Sequence, residues 1–229
     1  MQLAQQTWSL LKKEILLEWR SKYAFNGVLL YVVSTVFVCY IAFKITPGFE
    51  DPNNPGYRIV WNVLFWIIIL FASVNAIAKS FIQENKGRLL YYYSIASPQA
   101  IILSKTIYNI LLMALLSTLA LIVYLLFFTN TIGDPLLYFL SVLLGSISFS
   151  TVFTMISAIA SKAGNNGTLM AILSFPVIIP VILLLIKISK SAMDGIDRSL
   201  SYGNIGILCA INVIVITTSL LLFPFLWRD

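Results

Sequence analysis

The chain has no histidine, only two cysteines among 229 residues, and a charged fraction of 10%. Each scarcity removes a class of function. Without histidine, neither a Ser-His-Asp nor a Cys-His nucleophile system can form, and two isolated thiols assemble no zinc, copper or iron site of ordinary ligand count. Cys39 and Cys209 both fall in apolar runs without paired spacing and read as small packing residues. A hydrophobic fraction of 59% lies far outside the make-up of soluble domains and places the chain in the membrane class.

What is present is a series of apolar runs, each near the ~20 residues that a spanning helix needs. Six occur, at 24–43, 59–78, 107–128, 136–160, 168–186 and 204–226, and none contains Asp, Glu, Lys or Arg. The fourth is long and serine-rich, which predicts a tilted span or one broken near Gly145. The spans predict an all-α polytopic membrane protein of one domain over 1–229, with an amphipathic interfacial helix before span 1; the segment between spans 2 and 3 is expected to hold a short cytoplasmic helix, which the resemblance given below makes a coupling helix.

Basic residues set the expected orientation, because Lys and Arg in short loops stay on the cytoplasmic side. With the N-terminus inside, ten basic and four acidic residues lie on the cytoplasmic side, and Lys44, Arg58, Lys187, Lys190 and Arg198 balance five acids outside. The net charge of +6 is then wholly cytoplasmic, both termini are inside, and the basic balance gives no reason to invoke nucleic acid. The first run follows Lys12, Lys13, Arg20 and Lys22 without a small-residue cleavage pattern, so a removable signal peptide is not expected.

Before span 1, Ala4, Trp8, Leu11, Ile15 and Trp19 recur at helical spacing over residues 1–23. Such a stripe predicts a helix lying in the headgroup layer, with its basic residues against lipid phosphates. The 44–58 loop, rich in proline, glycine and asparagine, reads as an outer connector. The 187–203 loop has the composition of a short surface helix near a transport exit.

The absence of an intramembrane ionisable residue argues against an ion-coupled carrier. Energy must then come from outside the chain, and no Walker A pattern is present to supply it: Gly164-Asn165-Asn166-Gly167 lacks the phosphate-gripping lysine. The chain is therefore not an enzyme by itself, and an ATPase partner needs a segment to push. The segment 83–98 is the candidate, with Glu84, Lys86, Gly87, Arg88, Leu90, Tyr91, Ser97 and Pro98 as partner-coupling residues. Gly87 permits a bend, residues 89–95 are expected to form a short interfacial helix in which Tyr91 to Tyr93 suit a headgroup belt or a protein groove, and Pro98 is expected to end that helix before span 3.

Pro176 and Pro180 fall inside span 5, where each frees a carbonyl four residues earlier and predicts a hinge or a static kink. Asn62, Ser73, Asn75, Asn109 and Asn212, with the Gly145, Ser146, Ser148 and Ser150 cluster, read as interhelical packing glue rather than substrate ligands.

The Glu84-x-x-Gly87-x-x-Leu90 element leading to Ser97-Pro98 and Lys105 resembles the permease subunits of ABC-2 type exporters. Asn75 to Phe81, Gln83-Glu84, Tyr91 to Tyr93 and the Pro176/Pro180 run further resemble the CcmB family of haem exporter permeases in bacterial cytochrome c maturation. This resemblance implies a permease dimer in the bacterial inner membrane, driven by a CcmA-like ABC ATPase that carries ATP and magnesium. It also implies CcmC-like and CcmD-like neighbours that handle haem, with haem as cargo or with a haem-loaded chaperone being released. This chain, lacking the usual axial histidine, is expected to bind no cofactor of its own. The rivals are an ABC-2 permease for lipid, polysaccharide or a drug-like molecule, and a passive membrane scaffold.

Overall fold

Three helices open on the same dipeptide grammar, a short polar residue followed by proline. Asn54 Oδ1 accepts a hydrogen bond from Gly56 N at 2.9 Å, Ser97 Oγ from Ala100 N at 3.4 Å, and Asp134 Oδ1 from Leu136 N at 3.1 Å and Leu137 N at 3.2 Å. The polar side chain satisfies amide groups that the first turn leaves unpaired, and proline at the first position sacrifices no hydrogen bond.

The computed structural model describes residues 2–21, 23–46, 54–77, 96–162 and 167–228. Their helices are α1 (Gln2–Ser21), α2 (Tyr23–Ile45), α3 (Pro55–Ile77), α4 (Pro98–Phe127), α5 (Pro135–Lys162), α6 (Gly167–Met193) and α7 (Tyr202–Arg228), with a 3-10 turn at Arg198–Ser201 before α7. The described residues contain no strand, and α2 to α7 are each long and apolar enough to cross a membrane. We call the end carrying α1 proximal, and the end carrying the α2–α3, α4–α5 and α6–α7 connections distal.

Three boundaries differ from those expected. Span 3 starts at Pro98 rather than at 107, so Lys105 lies within it. Span 4 is one unbroken helix through Gly145. Span 5 continues to Met193, past Lys187 and Lys190, so the loop expected from 187 shrinks to four residues and the 3-10 turn. Lysines end an apolar run on paper but not a helix, because the long stem follows apolar surface while the ammonium reaches water.

α5 is the centre of the bundle and packs against α3, α4, α6 and α7. Its buried face carries Ser141, Ser146, Ser148, Ser150, Thr151, Thr154 and Ser157. In lipid, tail contacts are as apolar as leucine, so close backbone approach and cross-helix hydrogen bonds replace hydrophobic drive. Gly145 permits the closest approach: a Cβ there would lie 2.5 Å from Trp66 Cζ3. At the distal end an aromatic layer of Trp61, Phe65, Tyr124 and Tyr138 joins α3, α4 and α5, with ring centroids 4.9 to 6.4 Å apart. There too, Gly133 N donates to Met193 O at 3.2 Å and Asp134 N to Ala192 O at 2.7 Å. Gly195, at φ +63°, makes the turn that allows it.

Candidate coupling site at the proximal end

The proximal site is built by α1 and the first three turns of α4. Gln6 Oε1 accepts hydrogen bonds from Ser97 N at 3.2 Å and Ser97 Oγ at 3.1 Å, an offset of 91 residues. Glu14 Oε1 lies 3.6 Å from Lys105 Nζ at the same offset, and Glu18 hydrogen-bonds Tyr108. Between these contacts Leu10 packs on a small core of Ile101, Ile102, Ala158 and Phe223. The two helices therefore run parallel, zipped along one face of each.

Electrostatics follow from that packing. Lys105 is 4% exposed, and Glu14 is shared with Lys13 at 3.0 Å. Burial opposes ionisation of Glu14, but the charges of Lys105 and Lys13 outweigh it and hold the carboxyl below its ordinary range. Glu18 turns the other way and accepts from Phe25 N at 3.0 Å. A carboxylate of α1 thus satisfies one of the open amides at the start of α2, where the helix dipole favours negative charge. α4, at 30 residues, is about 45 Å long against a hydrocarbon layer of ~30 Å, which leaves room for a charged first section outside the apolar layer.

Among the coupling residues read from sequence, Ser97 caps α4 and Pro98 opens it, whereas Glu84, Lys86, Gly87, Arg88, Leu90 and Tyr91 lie outside the described residues. Gln6, Glu14 and Glu18 were missed. The signal for them was a polar row (Thr7, Glu14, Glu18) beside the apolar stripe of α1, which a reading centred on lipid assigned to water. Of that stripe only Leu11 is buried in the protein; Ala4, Trp8, Ile15 and Trp19 remain exposed. Lys12 sits over the Trp8 ring, 5.4 Å from its centroid.

Pro176 and Pro180 both lie on the exposed face of α6, with Ile172, Phe175, Ile179 and Leu183. The polar residues of the spans divide. Asn109 Nδ2 donates to Thr154 Oγ1 at 2.8 Å, Ser150 Oγ to Asn109 O at 3.0 Å, and Thr151 Oγ1 to Asn212 Oδ1 at 3.4 Å, while the hydroxyls of Ser117 and Ser146 are 2.5 Å apart. Trp66 Nε1 donates to Ser189 Oγ, which donates to Asn62 Oδ1, each at 2.8 Å. These are the interhelical bonds expected of packing glue. Ser73, Asn75 and Ser148 instead bond carbonyls of their own helices. Cys39 packs at the core margin, but Cys209 is exposed and packs no core.

Among the described residues no three His, Cys, Asp or Glu side chains converge as a metal site. A bundle of six apolar spans, bonded internally through small polar residues and carrying an ionic zipper at one end, defines an integral membrane subunit of the transporter type. The family model described as CcmB protein matches residues 5–226. The chain belongs to the CcmB family, the membrane permease components of the haem-export system in cytochrome c maturation. No curated protein matches it.

Proposed function

We propose that the chain is the permease half of an ATP-driven machine for haem export, or for release of a haem-loaded chaperone, with hydrolysis on a CcmA-like partner. The machine holds two copies of this permease beside CcmC-like and CcmD-like subunits in a bacterial inner membrane, with both termini of the chain cytoplasmic. The observation that carries the coupling step is the zipper between α1 and α4. Residues 83–98 end on Ser97-Pro98, and Gln6 holds the serine. A push received at Gly87 and its neighbours would reach α4 at its first turn and displace α1 with it. Dense packing makes α4 a rod rather than a spring, and at its distal end Tyr124 and Phe128 stack with centroids 4.4 Å apart. Pro176 and Pro180 give α6 the local freedom to answer that displacement.

The test replaces Gly87 with tryptophan and measures covalent haem in c-type cytochromes by peroxidase stain, alongside ATPase activity of the purified complex. The expected result is normal membrane abundance, persisting ATPase activity and lost haem staining. Normal staining at normal abundance overturns the coupling role, and unchanged staining on deletion of the whole chain overturns the cytochrome reading.

A further inference from the structure

Between the distal ends of α3 and α6 lies a cavity of about 300 Å³ that the coupling reading does not use. Arg58, Lys190 and Asp194 form its rim, while Ile59, Val63 and Ile186 form its apolar wall. The wall continues down both helices, where Ile67 and Phe71 of α3 and Ile179 and Leu183 of α6 are exposed.

Charge is unbalanced at the rim. Arg58 is held in place: its Nη2 donates to Thr131 O at 3.4 Å and to Met193 O, and lies 3.3 Å from Asp194. Every described distal carboxylate is already committed. Asp134 takes two hydrogen bonds from Arg198, at 2.5 and 2.9 Å, Asp197 caps the 3-10 turn through Ser199 N at 3.1 Å, and Asp194 serves Arg58. Among the described residues Lys190, exposed at the rim, has no ion-pair partner. Two cations thus face one carboxylate at the mouth of an apolar groove.

We propose that this cavity is a binding site for a bilayer phospholipid with an anionic headgroup. Its phosphate would sit between Lys190 and the unused N–H groups of Arg58, and one acyl chain would lie along Ile59, Val63 and Ile186. A zwitterionic headgroup carries its own cation to the rim and loses this advantage. A soluble phosphate ion gains nothing from the wall. The site is independent of the haem-export reading, since it requires only the folded chain in a membrane.

The test is native mass spectrometry of the full-length protein released from nanodiscs holding equal amounts of phosphatidylglycerol and phosphatidylcholine with identical chains. Preferential retention of phosphatidylglycerol is expected, weakened about fivefold in Lys190→Gln, the worth of roughly one surface cation against an anionic headgroup. Lys190→Glu should abolish the preference. Lys190 is exposed, so neither variant disturbs the bundle, and thermal unfolding in detergent checks this. Equal retention of the two lipids, or a preference unchanged in both Lys190 variants, overturns the proposal.

Discussion

Glu14 of α1 and Lys105 of α4 form an ion pair at 3.6 Å in which the lysine is almost wholly buried. It joins the amphipathic α1 to α4, a membrane span that carries a buried lysine. Removing one partner of such a pair strands the other in low dielectric, at a cost of about 3 kcal/mol or more. We expect Glu14→Gln to lower thermal stability in detergent, because the almost wholly buried Lys105 loses the carboxylate 3.6 Å away. An unchanged melting temperature would refute a stabilising role for the pair. Acid gives a second readout. The folded carboxyl titrates below its unfolded value, so its contribution is complete above the unfolded value of ~4.3 and is lost as pH falls through the lowered one. Glu14→Gln should remove that part of the acid limb.

Gly145 and Trp66 supply a steric test. A methyl group at 145 would meet ring atoms at 2.5 and 2.8 Å, both on a buried tryptophan tethered to Ser189. Gly145→Ala should cost ~1–3 kcal/mol by overpacking, read as a lowered melting temperature. In a double-mutant cycle Trp66→Phe should cost less in the Gly145→Ala background than alone. Additive losses would show that the ring shifts without strain.

Two buried tyrosines of the aromatic layer should answer oppositely to loss of the hydroxyl. Tyr124 OH donates to Trp61 O at 2.9 Å, whereas Tyr138 OH has no hydrogen-bond partner among the described residues. Tyr124→Phe forfeits a bond with a net worth of about 1 kcal/mol, while Tyr138→Phe removes an uncompensated polar group and should leave stability unchanged or raise it. Differential scanning fluorimetry of the two variants separates them, and a melting temperature lowered equally in both would contradict the assignment.

For α6, Pro176→Ala and Pro180→Ala should each add helix stability, since proline in a helix interior is ~3 kcal/mol less favourable than alanine. Both positions face outward, so alanine leaves no internal cavity. If the pair serves as a hinge, the double variant melts higher yet matures cytochromes more slowly at matched abundance. Unchanged haem staining with a raised melting temperature would reduce the prolines to static kinks.

Six spans, an amphipathic first helix and the family were legible in the residues themselves. Span length follows from bilayer thickness and helical rise, and the polar residues of apolar runs have few options other than one another. Boundaries were less legible wherever a lysine lay within a helix. Lys105 interrupts its run in sequence, but a carboxylate 91 positions earlier restores the balance. Lys187 and Lys190 interrupt theirs, but both side chains are exposed and leave the helix unbroken.

By itself the sequence determined the class of environment, the number of crossings and where helices may start, because these depend on local composition and on caps such as Asn54-Pro55, Ser97-Pro98 and Asp134-Pro135. Only the tertiary structure decided which face of α1 meets protein, that α1 runs parallel to α4, and that Arg58 and Lys190 share one cavity. Those outcomes depend on the register between elements far apart in the chain. One row of residues on α1 satisfies both lipid and protein rules, and the choice between them is made by Ser97, Lys105 and Tyr108 on another helix.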